Sequence, residues 1–223
     1  MKQFLSFFAI LLIHASISAD DHSGPERFEG SIAEFEERDR EAASKPGAIL
    51  FVGSSSIRLW DLGASWSDRA TVNNGFGGST IADSLHYFDR LFLPHSPSAI
   101  VLYAGDNDIA KDLTPEQVSD DFRSLAALLK ATKPDIPVLY IAIKPSRKRW
   151  DMWPDMKKAN DLIAAQCAAS PNLHFVDIAA PMLDEVEGAP DSKWFAEDGL
   201  HLSEWGYEQW TAAVNAALAK AKK

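Results

Sequence analysis

The rhythm of apolar and polar positions changes several times along the chain. From residue 27 to 44 apolar side chains are sparse, at Phe28, Ile32 and Phe35 among charged neighbours. That spacing predicts an amphipathic helix, ended by Lys45-Pro46-Gly47. Beyond it, short runs rich in Val and Ile occupy residues 48–52, 71–73, 99–103, 138–143 and 174–176. Runs this short and this apolar predict buried strands. Helical spacing fills the gaps. Residues 80–89 place Ile81, Leu85 and Phe88 on one face, and residues 114–132 repeat Val118, Phe122, Leu125 and Leu129 every three or four positions. Thr114-Pro115-Glu116 supplies an N-cap with proline at the first helical position. Residues 154–169 and 203–222 complete the helices, and residues 146–154 and 190–193 read as the longer loops. Five strand–helix alternations predict a parallel sheet with helices on both faces, in one domain spanning residues 20–223. In such sheets ligands lie beyond the carboxyl ends of the strands, so chemistry is expected directly after each apolar run.

The first residues follow a different pattern. Lys2 precedes an apolar run from Phe4 to Ile13, and the small, polar stretch from Ala15 to Ala19 follows. This is the layout of a secretory signal peptide over residues 1–19, and the run is shorter than the ~20 apolar residues a membrane span needs. Export to the periplasm or beyond the cell is the expectation, with no stable membrane insertion after cleavage.

A net charge of -10 over 223 residues narrows the partners. Duplex binding needs a surplus of Lys and Arg, so nucleic acid is excluded, and anionic membrane surfaces are disfavoured. Cys167 is the single cysteine, which rules out an intramolecular disulfide and a thiolate metal cluster. Its neighbours Ala, Leu and Ile predict a buried core thiol.

Four segments after the apolar runs carry chemistry. Gly53-Ser54-Ser55-Ser56 places serines at a strand end beside glycine, where the first amides of a helix stabilise negative charge. The same string also makes a loop with an N-cap. Gly75-Phe76-Gly77-Gly78 leaves backbone amides bare for a ligand, or forms a tight turn. It lacks the lysine of a phosphate loop and the spacing of a dinucleotide fingerprint. In Gly105-Asp106-Asn107-Asp108, the asparagine is placed either to donate to an oxyanion or to close an Asx turn. A calcium loop would need a glycine and a later glutamate that are missing. Asp198-Gly199-Leu200-His201 pairs an imidazole base with a carboxylate three residues earlier that can orient it. A metal reading of that pair would need further ligands nearby. His86, His95 and His174 lack comparable surroundings, and His86 and His95 are expected at the surface or on a helix flank.

In this order the four segments resemble the SGNH (GDSL-like) hydrolase superfamily, and the resemblance spans almost the whole chain after the leader. Gly53-Ser54-Ser55 is similar to the Gly-Asp-Ser block, with Ser54 where the family has aspartate. The resemblance implies a three-layer αβα sandwich with a five-stranded parallel sheet, flavodoxin-like in arrangement. It implies a serine ester hydrolase, carboxylesterase- or acetylesterase-like, with Ser55 as nucleophile and Asp198 and His201 activating it. Ser55, Gly78 and Asn107 would form the oxyanion hole, and no metal or organic cofactor is implied. Residues 143–147 with Trp150 resemble a subset of small acetylhydrolases. Ser54, Lys144, Arg147 and Trp150 are therefore expected to border the substrate, Arg147 facing an anionic group or simply forming a solvated basic loop. The expected substrate is a small ester or an acetylated glycan. A lysophospholipase-type lipid esterase, a non-catalytic carbohydrate-binding protein on the same fold and a flavodoxin-like nucleotide binder are the alternatives.

Overall fold

The computed structural model describes residues 24–183 and 188–221. The expected signal peptide lies outside the described residues. After a 3₁₀ turn at Pro25–Phe28, the elements in chain order are α1 (Glu29–Glu41), β1 (Ile49–Gly53), α2 (Ser55–Arg58), α3 (Leu62–Ser65) and β2 (Thr71–Gly75). There follow α4 (Ile81–His86), α5 (Phe88–Leu91), β3 (Ala99–Tyr103), α6 (Asp106–Ala110), α7 (Pro115–Thr132) and β4 (Val138–Ile141). α8 (Trp153–Ala168), β5 (Leu173–Val176) and α9 (Glu204–Ala221) complete the set, with 3₁₀ turns at Trp150–Met152, Ala180–Met182 and Ser192–Trp194.

The five strands form one sheet in the order β2-β1-β3-β4-β5, and every pairing is parallel. This is the flavodoxin-like α/β arrangement, with helices covering both faces. Strand residues alternate between two apolar layers. Leu50, Val52, Ile100 and Leu102 pack with Ile32, Ile81, Phe122 and Ile163 from α1, α4, α7 and α8. Ile49, Phe51, Val101 and Tyr103 pack with Ile57, Leu62, Trp210 and Val214 from α2, α3 and α9. Because both faces are covered, β1 and β3 are buried at every position, which is why they read as unbroken apolar runs.

The register brings the loops together. Gly53, the last residue of β1, pairs with Gly75 at the end of β2 and with Tyr103 at the end of β3. The segments that begin at Ser54, Phe76 and Ala104 therefore emerge side by side at one edge of the sheet.

Several boundaries differ from the sequence reading. The helix expected over residues 80–89 breaks at Tyr87 (φ -97°, ψ 20°) into α4 and α5. Thr80 and Asp83 close a reciprocal capping box at its start. β2 runs two residues past its apolar run because the Asn74 amide is satisfied in the core, donating to the Leu91 carbonyl at 3.0 Å. α2, α3 and α6 are single turns, too short to show a helical period. His95, expected at the surface, is buried instead, held by Asn74 and Ser44. Cys167 is buried, and burial pushes its thiol up to about 12. Among the described residues, no helix is long and apolar enough to cross a membrane.

Candidate active site

The end of β1 is built for a close approach. Gly53 has φ 144°, and a Cβ there would sit 1.9 Å from the Tyr103 carbonyl oxygen, so only glycine fits. The Ser54 amide donates to that same carbonyl at 2.9 Å, which pins the chain as it leaves the sheet. The Ile57 and Arg58 amides both turn back to the Ser54 carbonyl, and α2 starts at Ser55. A helix leaves its first amides without intrahelical partners, and the Ser55 N–H, at the first position of α2, is one of them.

Ser55 Oγ lies 3.1 Å from His201 Nε2, and His201 Nδ1 lies 2.5 Å from Asp198 Oδ2, although 146 residues separate the serine from the histidine. The second carboxylate oxygen of Asp198 accepts the Leu200 and His201 amides, each at 2.9 Å. Those amides, the Leu200 N–H foremost, and the imidazole beside it hold the Asp198 carboxyl down at about 2. A carboxylate facing Nδ1 fixes the proton on that nitrogen and leaves Nε2 with its lone pair toward the serine hydroxyl. Gly199, at φ 64°, gives the turn that lets Asp198 reach back to its own histidine. The arrangement can accept a proton from Ser55 Oγ as it attacks a carbonyl.

The loop after β2 and the turn of α6 leave the same edge of the sheet as Ser55. Gly78 has φ 84°, a left-handed conformation that leaves its amide side bare; a Cβ there would meet nothing within 4 Å. Gly105, at φ 117°, turns the chain into α6. Asn107 Nδ2 donates to the Ser79 carbonyl at 3.0 Å, and Asp108 Oδ1 accepts the Ile81 amide at 3.0 Å. The asparagine is thus tied to the residue next to Gly78. Asp108 is fully buried, and that burial raises its carboxyl to about 7, with the nearby Asp106 adding to the rise.

Beneath these residues sits a buried ionic cluster. Lys144, only 1% exposed, donates to Asp106 Oδ2 at 3.0 Å, to the Tyr103 hydroxyl at 2.9 Å and to Ser56 Oγ at 3.3 Å. Arg149 donates to the Asp106 carbonyl and to Asn107 Oδ1, both at 3.0 Å. Burial opposes ionisation of Asp106, but Lys144 and Arg149 outweigh it and keep the carboxyl below its usual range.

The structure brings Ser55, Asp198 and His201 into hydrogen-bond contact and sets Gly78 and Asn107 on neighbouring turns. The expected substrate border divides. Ser54 and Lys144 lie under the site, not on its wall, since both side chains are buried. Lys144 is there to pair with Asp106. Arg147 is exposed and donates to the Pro190 carbonyl at 3.2 Å, so it ties two loops together. Trp150 is half-buried and stacks on Trp153 with ring centroids 6.4 Å apart. Arg149, between Arg147 and Trp150, was not singled out by the sequence; in a run of basic residues nothing marks which one turns inward.

The GDSL-like Lipase/Acylhydrolase family model matches residues 54–209. An arylesterase from Vibrio mimicus is 19% identical over 140 residues, which cover 60% of this chain and 62% of the arylesterase. The match thus spans less than two thirds of that relative. A solved structure named for a platelet activating factor from Streptococcus pneumonia superposes with a TM-score of 0.78 at 20% identity, covering 86% of this chain and 93% of that one. A family 3 carbohydrate esterase from Clostridium thermocellum superposes with a TM-score of 0.62 at 17% identity, covering 79% and 96%. At these identities the structural likeness speaks for the fold.

Proposed function

The chain belongs to the GDSL-like lipase/acylhydrolase family, and from that premise we propose that it is a serine ester hydrolase acting on short acyl esters. Ser55 Oγ attacks the ester carbonyl while His201 Nε2 takes its proton, and Asp198 stabilises the imidazolium that forms. The negative charge on the carbonyl oxygen is met by the Ser55 and Gly78 amides and the Asn107 side-chain N–H. His201 then protonates the leaving alcohol. Water, deprotonated by the same nitrogen, releases the acid from the acyl-serine and restores the enzyme. The observation that carries this reading is the unbroken line from Ser55 Oγ through His201 to Asp198.

The short acyl group is supported by the openness of the site. The Asp198 and His201 side chains are 46% and 30% exposed, so among the described residues the triad lies on an open edge. A long chain would find little surface to leave water for. The likeness to a carbohydrate esterase favours an acetylated glycan as the alcohol part. Export itself belongs to this reading, with cleavage near Ala19. A series of p-nitrophenyl esters from acetate to decanoate, run beside acetylated xylo-oligosaccharides, tests it. Turnover should peak at acetate or propionate, with acetate released from the oligosaccharides. Turnover that climbs with chain length would transfer the assignment to lipid esters, and no hydrolysis of any ester by folded protein would end it.

A further inference from the structure

The buried ions under Asn107 have a charge balance that the triad does not explain. Lys144, Arg149 and Asp106 contribute two positive charges and one negative within one hydrogen-bonded cluster. Asp106 balances only one of the two cations, and Asp108, held near 7 beside it, offsets the other in part. Burying ions is costly unless they are paired, so this surplus needs a reason. Its contacts supply one. Arg149 Nη2 donates to Asn107 Oδ1, and the Ser79 carbonyl accepts from Asn107 Nδ2. An asparagine amide has nearly the same shape in either orientation, so its hydrogen bonds decide which end faces the reaction. Rotating this amide would put its NH₂ against the guanidinium and its oxygen against the Ser79 carbonyl. Both contacts would become repulsive.

We propose that Arg149 is the positioning residue of the oxyanion hole: it locks the Asn107 amide with its N–H outward and polarises that N–H as a donor. A cation on the amide oxygen draws electron density from the nitrogen, and in a low-dielectric setting this coupling strengthens the bond the nitrogen donates. Asp106 and Lys144 set the guanidinium in place. Asp106 accepts from Arg149 through its backbone carbonyl, and its carboxylate oxygen lies 3.4 Å from Nη1. Lys144 offsets the carboxylate, so the field of Arg149 is not cancelled at the amide. Arg149 is 19% exposed and needs no contact with substrate for this role.

The inference rests on the hydrolase reading and on Asn107 as an oxyanion donor, and a double-mutant cycle keeps these apart. With p-nitrophenyl acetate, Arg149→Met should lower kcat about 10- to 100-fold with KM within about twofold, against the ~10²–10³ expected for Asn107→Ala. In the Asn107→Ala background, Arg149→Met should cost no more than about twofold, because the group it acts through is gone. Arg149→Lys, which can reach Asp106 or Asn107 but not both, should fall between the parent and Arg149→Met. It also serves as the readable variant should Arg149→Met not fold. Equal losses in both backgrounds, or a loss confined to KM, would overturn the positioning role. Full activity in Asn107→Ala would overturn it too, whereas full activity in Ser55→Ala would instead remove the hydrolase reading.

Discussion

A serine oxygen, an imidazole and a carboxylate line up twice among the described residues, at two separate places on the sheet. At the carboxyl edge stand Ser55, His201 and Asp198. Beside β2, Ser44 Oγ lies 3.0 Å from His95 Nδ1, and His95 Nε2 lies 3.4 Å from Asp39 Oδ2. The serine distances, 3.0 and 3.1 Å, do not separate the two, and the carboxylate distances, 3.4 and 2.5 Å, separate them only in part. Protons do. Arg38 donates to Asn74 Oδ1 at 2.8 Å, so Asn74 presents its NH₂ to His95 Nε2, 3.1 Å away. Asp39 Oδ2 is farther from that nitrogen than the Asn74 amide is, so Nε2 accepts from the nearer NH₂, and the ring proton sits on Nδ1 and is donated to Ser44. His95 cannot take a proton from a serine it already donates to. His201 also carries its proton on Nδ1, but that nitrogen faces Asp198, and the bare Nε2 faces the serine. Ser44 also follows the end of a helix, whereas Ser55 opens one at the sheet edge from which the segments carrying Gly78 and Asn107 emerge. Three residue types within reach can make a structural clasp; the ring nitrogen that faces the serine decides whether the histidine can take its proton.

Paired substitutions sharpen this contrast. The largest difference is expected between the two carboxylates. Asp198→Asn, which frees His201 to adopt the wrong tautomer, should lower kcat on p-nitrophenyl acetate by about 10⁴-fold. Asp39→Asn should leave kcat within about twofold. Similar losses in both would erase the distinction drawn here.

A smaller effect separates the histidines by pH. Burial, working against Asp39 and helped by Arg38 and Lys133, lowers the His95 value below the 6.5 of a free imidazole. The folded state thus binds fewer protons at His95 than the unfolded chain does. Its contribution to stability is whole above about 6.5 and is lost as pH falls toward the lowered folded value. Melting temperatures followed from pH 7.5 to 5 should fall less steeply for His95→Gln than for the parent. Asp108, held up near 7, acts with the opposite sign over the same range, so the difference between the two proteins is the quantity to read. Parallel curves would contradict the burial argument.

The same contrast explains what the sequence disclosed. Ile49–Gly53 and Ala99–Tyr103 are buried on both faces, so their apolar runs mark the strands almost to the residue. Ser55, Gly78, Asn107, Asp198 and His201 follow strands or turns, where backbone geometry restricts the residue types, and so they stood out as motifs. Arg149 and His95 did not. Each owes its place to partners far along the chain, Asn107 for one and Asn74 for the other. Nothing local distinguishes an inward arginine from Arg147, or a buried imidazole from a surface one. Lys144 entered through the resemblance of residues 143–147 to small acetylhydrolases and was assigned to the substrate. Only the packed structure shows the Asp106 carboxylate that draws it inside.

The central claim is that one serine of the two is activated, and a covalent serine-directed fluorophosphonate tests it directly. After reaction with the purified protein, peptide mass mapping should find the adduct on Ser55. Ser44→Ala should label and hydrolyse p-nitrophenyl acetate as the parent does, while Ser55→Ala should do neither. An adduct on Ser44, or undiminished turnover in Ser55→Ala, would contradict the account.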